Sequence, residues 1–225
     1  MVIGVAEWMK EGGLFMWPIL FCAVIGASIA LERLIYVYLR AGVHAGSFMA
    51  TVQREVLDGN IDSAVRLCNG EPSAVLPRVI KAGLVRADRP EAEIKSAVEE
   101  ASLEVYPMVN RRIAYLPMIA NVSTLLGLLG TIQGLILSFH SVAETSAEAR
   151  SVALAQGIAI AMYTTFFGLL VAIPLLVAHG IIAARANSAL DEIDHHGVKL
   201  VNLLNACRRG ESPREGGAPI LPFRS

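Results

Sequence analysis

Polar side chains stand inside stretches that are otherwise greasy enough for a lipid bilayer. Thr124, Thr131 and Gln133 fall in "TLLGLLGTIQGLILSF", and Thr164 and Thr165 fall in "GIAIAMYTTFFGLL". Hydroxyl and amide groups at membrane depth can hold a file of water or contact a titratable group, which is the chemistry of a proton or cation path. On a helix, Gly127, Thr131, Gly134 and Ser138 recur at i, i+4, i+7 and i+11 and share one face. Thr124 continues that stripe one turn earlier. Gly157, Ala161, Thr164 and Gly168 stand in a similar relation, with Thr165 and Ala172 beside them. Such faces also let helix backbones approach closely, with hydroxyls bonding across the contact or back to their own chain. From the residues alone, packing and path both stay open. In the packing reading, Gly127, Gly130, Gly134, Gly157 and Gly168 are the positions of close approach.

What is missing matters as much. Residues 14–31, 116–139 and 152–184 form three apolar segments, and none has an Asp, Glu, Lys or Arg in its interior; Glu32, His140 and His179 lie toward the ends. An ion relay needs an ionisable group within the membrane. If this chain helps conduct protons, the carboxylate comes from another polypeptide.

The elements that would carry these side chains follow from length and charge. Mean hydropathy is +0.54 and charged residues are 17%, too apolar for an ordinary soluble domain. A net charge of −1 gives no footprint for nucleic acid. Cys22, Cys68 and Cys207 are odd in number and far apart, which suits neither a disulfide framework nor a zinc site. Each apolar segment meets the roughly 20 residues needed to span a hydrocarbon core. The fold class is therefore an all-α membrane protein, with three transmembrane helices and long cytoplasmic helical extensions.

Lysine and arginine near the span ends set the orientation. Arg33, Arg40, Arg111, Arg112 and Arg185 fall on one side after three crossings, which makes the middle region and the C-terminus cytoplasmic. A cleaved leader, with Lys10 in front and Ser28 and Ala30 spaced as a cleavage site, is the lesser reading, because Glu7 and Glu11 offset the lysine and apolar character resumes in "LIYVYL". The expected divisions are an outer N-terminus (1–13), a first span (14–36), a cytoplasmic helical domain (37–115), a second span (116–140), a short outer loop (141–151), a third span (152–184), a cytoplasmic helix (185–209) and a disordered tail (210–225).

Within the cytoplasmic domain, Ser47 is placed to cap "FMATVQREVL", which "DGN" at 58–60 breaks. Asp62 opens a second short helix closed by "NGEP", and Pro77 sits early in a third. Asp88, Pro90, Glu91 and Glu93 mark a strong helix start. From there the pattern predicts one continuous helix through Arg111 and Arg112 into the second span, bent at Pro107 and Pro117. The third span should likewise run on past Arg185, since Leu190, Ile193, Leu200, Leu203 and Leu204 keep a helical spacing. His195 and His196 are adjacent, so a helix points them in different directions, and they read as a solvated face rather than a metal site. No cofactor and no catalytic constellation is indicated, and the chain is not expected to be an enzyme.

Residues 12–34 ("GGLFMWPILFCAVIGASIALERL"), 125–134 ("LLGLLGTIQG") and 157–174 ("GIAIAMYTTFFGLLVAIP") together resemble the MotA/TolQ/ExbB proton-channel family, in its three-span ExbB/TolQ-like branch. The similarity extends over most of the chain to about Arg209. It implies an inner-membrane scaffold subunit of a proton-driven motor, with the N-terminus periplasmic. It also implies a homo-oligomer, a pentamer, around a single-span partner of the ExbD/TolR/MotB type whose membrane aspartate carries the proton. Work would pass to the cell envelope as energised transport, envelope maintenance or gliding motility. Carried over residue by residue, the family's threonines fall on Thr131 and Thr165, both facing that aspartate, with Thr164, Thr124 and Gln133 as further lining. One departure is Ile160, where ExbB and TolQ proteins commonly carry glutamate; three spans also differ from the four of a flagellar stator. The alternative is a non-conducting oligomeric membrane adaptor whose cytoplasmic helices dock a partner.

Overall fold

The computed structural model describes residues 13–37, 45–70, 74–144 and 149–209. The expected N-terminal segment, all but residue 13, and the tail at 210–225 lie outside them, as do Arg40, Glu71 and Pro72. Every regular element among the described residues is helical: α1 (Met16–Tyr36), α2 (Ala45–Leu57), α3 (Ile61–Gly70), α4 (Val75–Leu84), α5 (Glu91–Asn110), α6 (Tyr115–Glu144) and α7 (Arg150–Arg209). Three helices are long and apolar enough to cross a membrane: α1, a helical stretch that includes α6, and α7.

The chain divides into two compact units. One holds α1 through Leu34, α6, and α7 through Ala184; the other holds α2 to α5 and α7 from Arg185. In the first, Leu125, Leu128, Ile132 and Ile136 of α6 and Met162, Phe166, Ile173 and Val177 of α7 are all exposed. A soluble protein rarely leaves so continuous an apolar surface bare, whereas a bilayer covers it without cost. Among the described residues, α1 packs through Met16 and Ile19 onto Phe167 of α7, flanked by Leu20, Leu126 and Val171.

The second unit has an apolar core of its own. Val52, Val79, Ile80, Leu84, Ile94 and Leu200 are buried. The turn at 58–60 ends α2 as its residues predict: Gly59 takes φ +77°, the Gly59 amide donates to Val56 at 3.1 Å and the Asn60 amide to Glu55 at 2.8 Å. That pair of bonds is a Schellman closure, which requires the left-handed residue. Asn60 then caps α3, accepting from the amides of Ser63 and Ala64. Glycine 83 meets Val98 and Leu200 so closely that a Cβ there would lie 2.8 Å and 2.9 Å from their methyls, which joins α4, α5 and the end of α7. Leu190, Ile193, Leu200 and Leu204 are buried, so the apolar spacing past Arg185 is the seam by which α7 belongs to this unit.

Three local expectations change. Ser47 does not cap α2: the helix already begins at Ala45, which leaves Ser47 inside its first turn. Asp88 does not cap α5: Pro90 occupies that position, its carbonyl accepting from Glu93 and Ile94, while Asp88 lies 3.9 Å from Arg89. More consequentially, α5 and α6 are separate helices. The chain leaves helical geometry at Arg111, where ψ is 132°, and Arg112 takes φ +64° before α6 starts at Tyr115. Pro117 favours the break without dictating it, since Pro107 in α5 and Pro174 in α7 stay inside continuous helices. In a continuous helix Pro117 would remove a hydrogen bond and clash with the carbonyl of residue 113. With the restart at Tyr115 it falls in the first turn, where no N–H is needed.

Candidate functional site

Small residues bring α6 and α7 into backbone contact. A Cβ on Gly127 would lie 3.1 Å from the Thr164 carbonyl oxygen and 3.4 Å from the Cα of Gly168. One on Gly134 would stand 2.9 Å from the Ala161 amide nitrogen, and one on Gly168 would stand 2.8 Å from the Ser123 carbonyl oxygen. Gly130 faces the Thr164 side chain, and Gly157 faces Ser138 and the Gly134 carbonyl. At this separation neither helix has room for a side chain, which is why the contact is built from glycine, alanine, serine and threonine.

The line of contact on α6 runs through Ser123, Gly127, Gly130, Gly134 and Ser138, all buried. Thr131 sits at its edge, half-buried, and Thr124 is exposed. Gln133 is also half-buried, but two residues on a helix are about 200° apart, so it leaves α6 on the flank away from Thr131. On α7 the line runs through Gly157, Ala161, Thr164, Gly168 and Ala172, all buried. Thr165 is half-buried beside it. Ser123 escaped the sequence reading although it stands four residues before Gly127, the spacing that would have found it.

Each hydroxyl has a committed proton. Thr165 donates across the contact to the Gly127 carbonyl at 3.3 Å. Thr131 donates to Leu128 at 2.6 Å, Thr124 to Ala120 at 3.1 Å, Ser123 to Ile119 at 2.9 Å and Ser138 to Gly134 at 2.9 Å. Thr164 lies between the Ile160 and Ala161 carbonyls, at 3.1 and 2.9 Å. A hydroxyl with its proton so placed offers only lone pairs to anything else. What it can receive is a donor: water, a protonated carboxylic acid, or a metal cation. Ile160 is half-buried on α7, with a methyl 3.5 Å from where a Cβ on Gly13 would be.

With this geometry in view, comparison with known proteins is decisive. The model of the MotA/TolQ/ExbB proton channel family matches residues 71–195. The chain belongs to this family. The chain is 30% identical over 190 residues to the biopolymer transport protein exbB1 of Vibrio cholerae, covering 83% of this chain and 82% of that protein. It is 27% identical to a putative ExbB homolog of Methanothermobacter thermautotrophicus (84% and 67% covered), and 29% identical to the Tol-Pal system protein TolQ of Haemophilus influenzae (57% and 58% covered). The chain is thus a membrane component of an energy-transducing complex of the ExbB/TolQ type, a channel and scaffold class rather than a known enzyme family.

Two further groupings lie in the second unit. A groove of about 620 Å³ between α5 and α7 is lined by Val98, Leu103, Tyr106, Asp194 and Val198. Tyr106 donates its hydroxyl proton to the Asp194 carboxylate, and that bond raises the tyrosine pKa above its ordinary value. His195 is exposed and His196 half-buried; burial, then the neighbouring His195 and Lys199 charges, lower the His196 pKa.

Proposed function

We propose that this chain is the inner-membrane scaffold subunit of a proton-motive-force-driven motor, assembled as a homo-oligomer, pentameric by family resemblance, around a single-span partner of the ExbD/TolR/MotB type. Its N-terminus is periplasmic and its C-terminus cytoplasmic, as the arginines at the span ends require. Thr131 and Thr165 line the path, with Thr164 and Thr124 in supporting places, while Gln133, on the opposite flank of α6, would serve it only from the side of a neighbouring subunit.

One observation carries the reading. The apolar segments hold no Asp, Glu, Lys or Arg in their interiors, yet the α6–α7 contact holds hydroxyls that are all within hydrogen-bond distance of carbonyl oxygens. Lone pairs at that depth stabilise a neutral carboxylic acid, which donates, better than a carboxylate, which only accepts. A partner aspartate that picks up a proton would rest against Thr131 or Thr165 in its protonated state and leave when it ionises. That difference between two protonation states is what couples ion flow to movement. The work passes to the cell envelope, as energised transport, envelope maintenance or gliding motility, and Ile160 in place of glutamate sets the chain apart from the commonest ExbB and TolQ pattern. Hydroxyl oxygens would serve sodium as well as protons, so ion substitution belongs in the same experiment.

The test is ion flux into liposomes holding this chain with its single-span partner, then without it, then with the partner's membrane aspartate changed to asparagine. Flux that needs both partner and carboxylate supports the divided relay. Absence of flux in an assembled, active complex would overturn it in favour of a non-conducting adaptor. The groove between α5 and α7, where Leu103 is 73% exposed and Val198 62%, is the observation that favours that second reading.

A further inference from the structure

The sequence allows α6 two overlapping small-residue lines. One runs through Ser123, Gly127, Gly130, Gly134 and Ser138; the other runs through Thr124, Gly127, Thr131, Gly134 and Ser138. Three members are shared, and at about 100° per residue the centres of the two lines differ by roughly 40° of rotation about the helix axis. Both lines present short side chains to α7, but the second turns two threonines toward it and needs a wider separation than the glycine contacts of the first. Only the first line is fully buried.

A restraint at the start of α6 distinguishes the two. Arg112, in the left-handed region at φ +64°, places one guanidinium nitrogen, Nη1, 2.8 Å and 2.7 Å from the two carboxylate oxygens of Glu32 near the end of α1. Arg33 donates to the same carboxylate at 2.9 Å. A left-handed conformation is disfavoured for a residue with a Cβ and persists where surroundings hold it. Three residues after this anchored point α6 begins, so the anchor fixes the direction and rotation with which the helix leaves the turn. We infer that Glu32 and Arg112 are a positioning pair that holds α6 in the Ser123/Gly130 register on α7, and that releasing the pair lets α6 turn to the Thr124/Thr131 register.

The test reads conformation, not flux, so it stands or falls apart from the ion path. In the full chain in lipid nanodiscs, with Cys22, Cys68 and Cys207 replaced, Gln133→Cys carries a trifluoroethyl label read by fluorine NMR. Gln133 is half-buried in the first register and turns farther from α7 in the second, so the label does not obstruct either. With Glu32 and Arg112 intact, one resonance is expected. E32Q, R112Q and R112G should each add a second resonance, and E32Q/R112Q together should add no more than either alone. R112K should keep one, since a single nitrogen makes both contacts, and the exchanged chain E32R/R112E should return to one. R112G separates the pair from the turn, because glycine accepts φ +64° freely; a single resonance there would mean that the turn, not the pair, sets the register, and would overturn the inference. One unchanged resonance in folded E32Q and R112Q would overturn it also. If the glutamine variants fail to fold, R112K and the exchanged chain decide: one resonance in both supports the pair, two in either refutes it.

Discussion

Thr165 donates its hydroxyl proton to the carbonyl oxygen of Gly127 at 3.3 Å, from α7 to α6, and that bond exists because Gly127 has no side chain. Any larger residue at 127 would push the two backbones apart. The same glycine therefore permits the contact and supplies the acceptor.

Changing Thr131 or Thr165 to valine keeps the shape and removes the hydroxyl. A hydrogen bond between neutral groups is worth about 0.5–1.5 kcal/mol, so ion flux in the partnered liposomes should fall about two- to tenfold. Serine at either position should retain most of it. Leucine should abolish flux and work output while the oligomer still assembles, read by size-exclusion mass. Wild-type flux from the valine variants would remove these threonines from the path.

Close approach makes the glycines unequal. Alanine at Gly134 or Gly168 puts a methyl within 3 Å of backbone atoms on the facing helix. Overpacking of that kind costs about 1–3 kcal/mol, which exceeds the roughly 1 kcal/mol that alanine gains over glycine in a helix. Gly180, with nothing within 4 Å of its Cβ position, should show only the gain. Thermal unfolding in detergent should thus rank Gly180→Ala above wild type and Gly134→Ala and Gly168→Ala below it.

The tie between Tyr106 and Asp194 predicts an alkaline sensitivity. Its folded pKa is raised because the neutral phenol donates to the carboxylate. The stabilisation is therefore fully present below the ordinary pKa of 10.0 and is lost as pH rises through the folded value. Replacing Tyr106 with phenylalanine should flatten that part of a melting-temperature profile. An unchanged alkaline slope would show that the bond contributes nothing.

Thiol reactivity should separate the cysteines. Cys68 is buried on α3, and burial pushes its pKa up to about 11, so little thiolate exists at neutral pH. Cys207 is exposed near the end of α7. A maleimide reagent followed by peptide mass spectrometry should modify Cys207 within minutes and leave Cys68 intact until the protein is unfolded. Equal labelling of the two would contradict the packing of the second unit.

Much of this molecule was legible in the chain because it depends on local rules. The three apolar segments give three helices, Gly59 ends α2, and the leucine spacing past Arg185 carries α7 on to Arg209, each from periodicity or the conformational freedom of one residue. The absence of Asp, Glu, Lys and Arg from the interiors of the apolar segments was equally plain. The helix break after Asn110 was less so: Pro117 signalled a disturbance, but whether a proline kinks a helix or falls in a new first turn depends on what holds the preceding residues. Glu32, 80 positions from Arg112, is part of what holds them, and no periodicity connects such a pair. Nor could composition choose between the two small-residue lines of α6, since they share Gly127, Gly134 and Ser138. Side-chain type fixes which faces can pack, because that follows from the turn of the helix. Which face does pack is a balance among contacts distant in sequence, and only the tertiary structure strikes it.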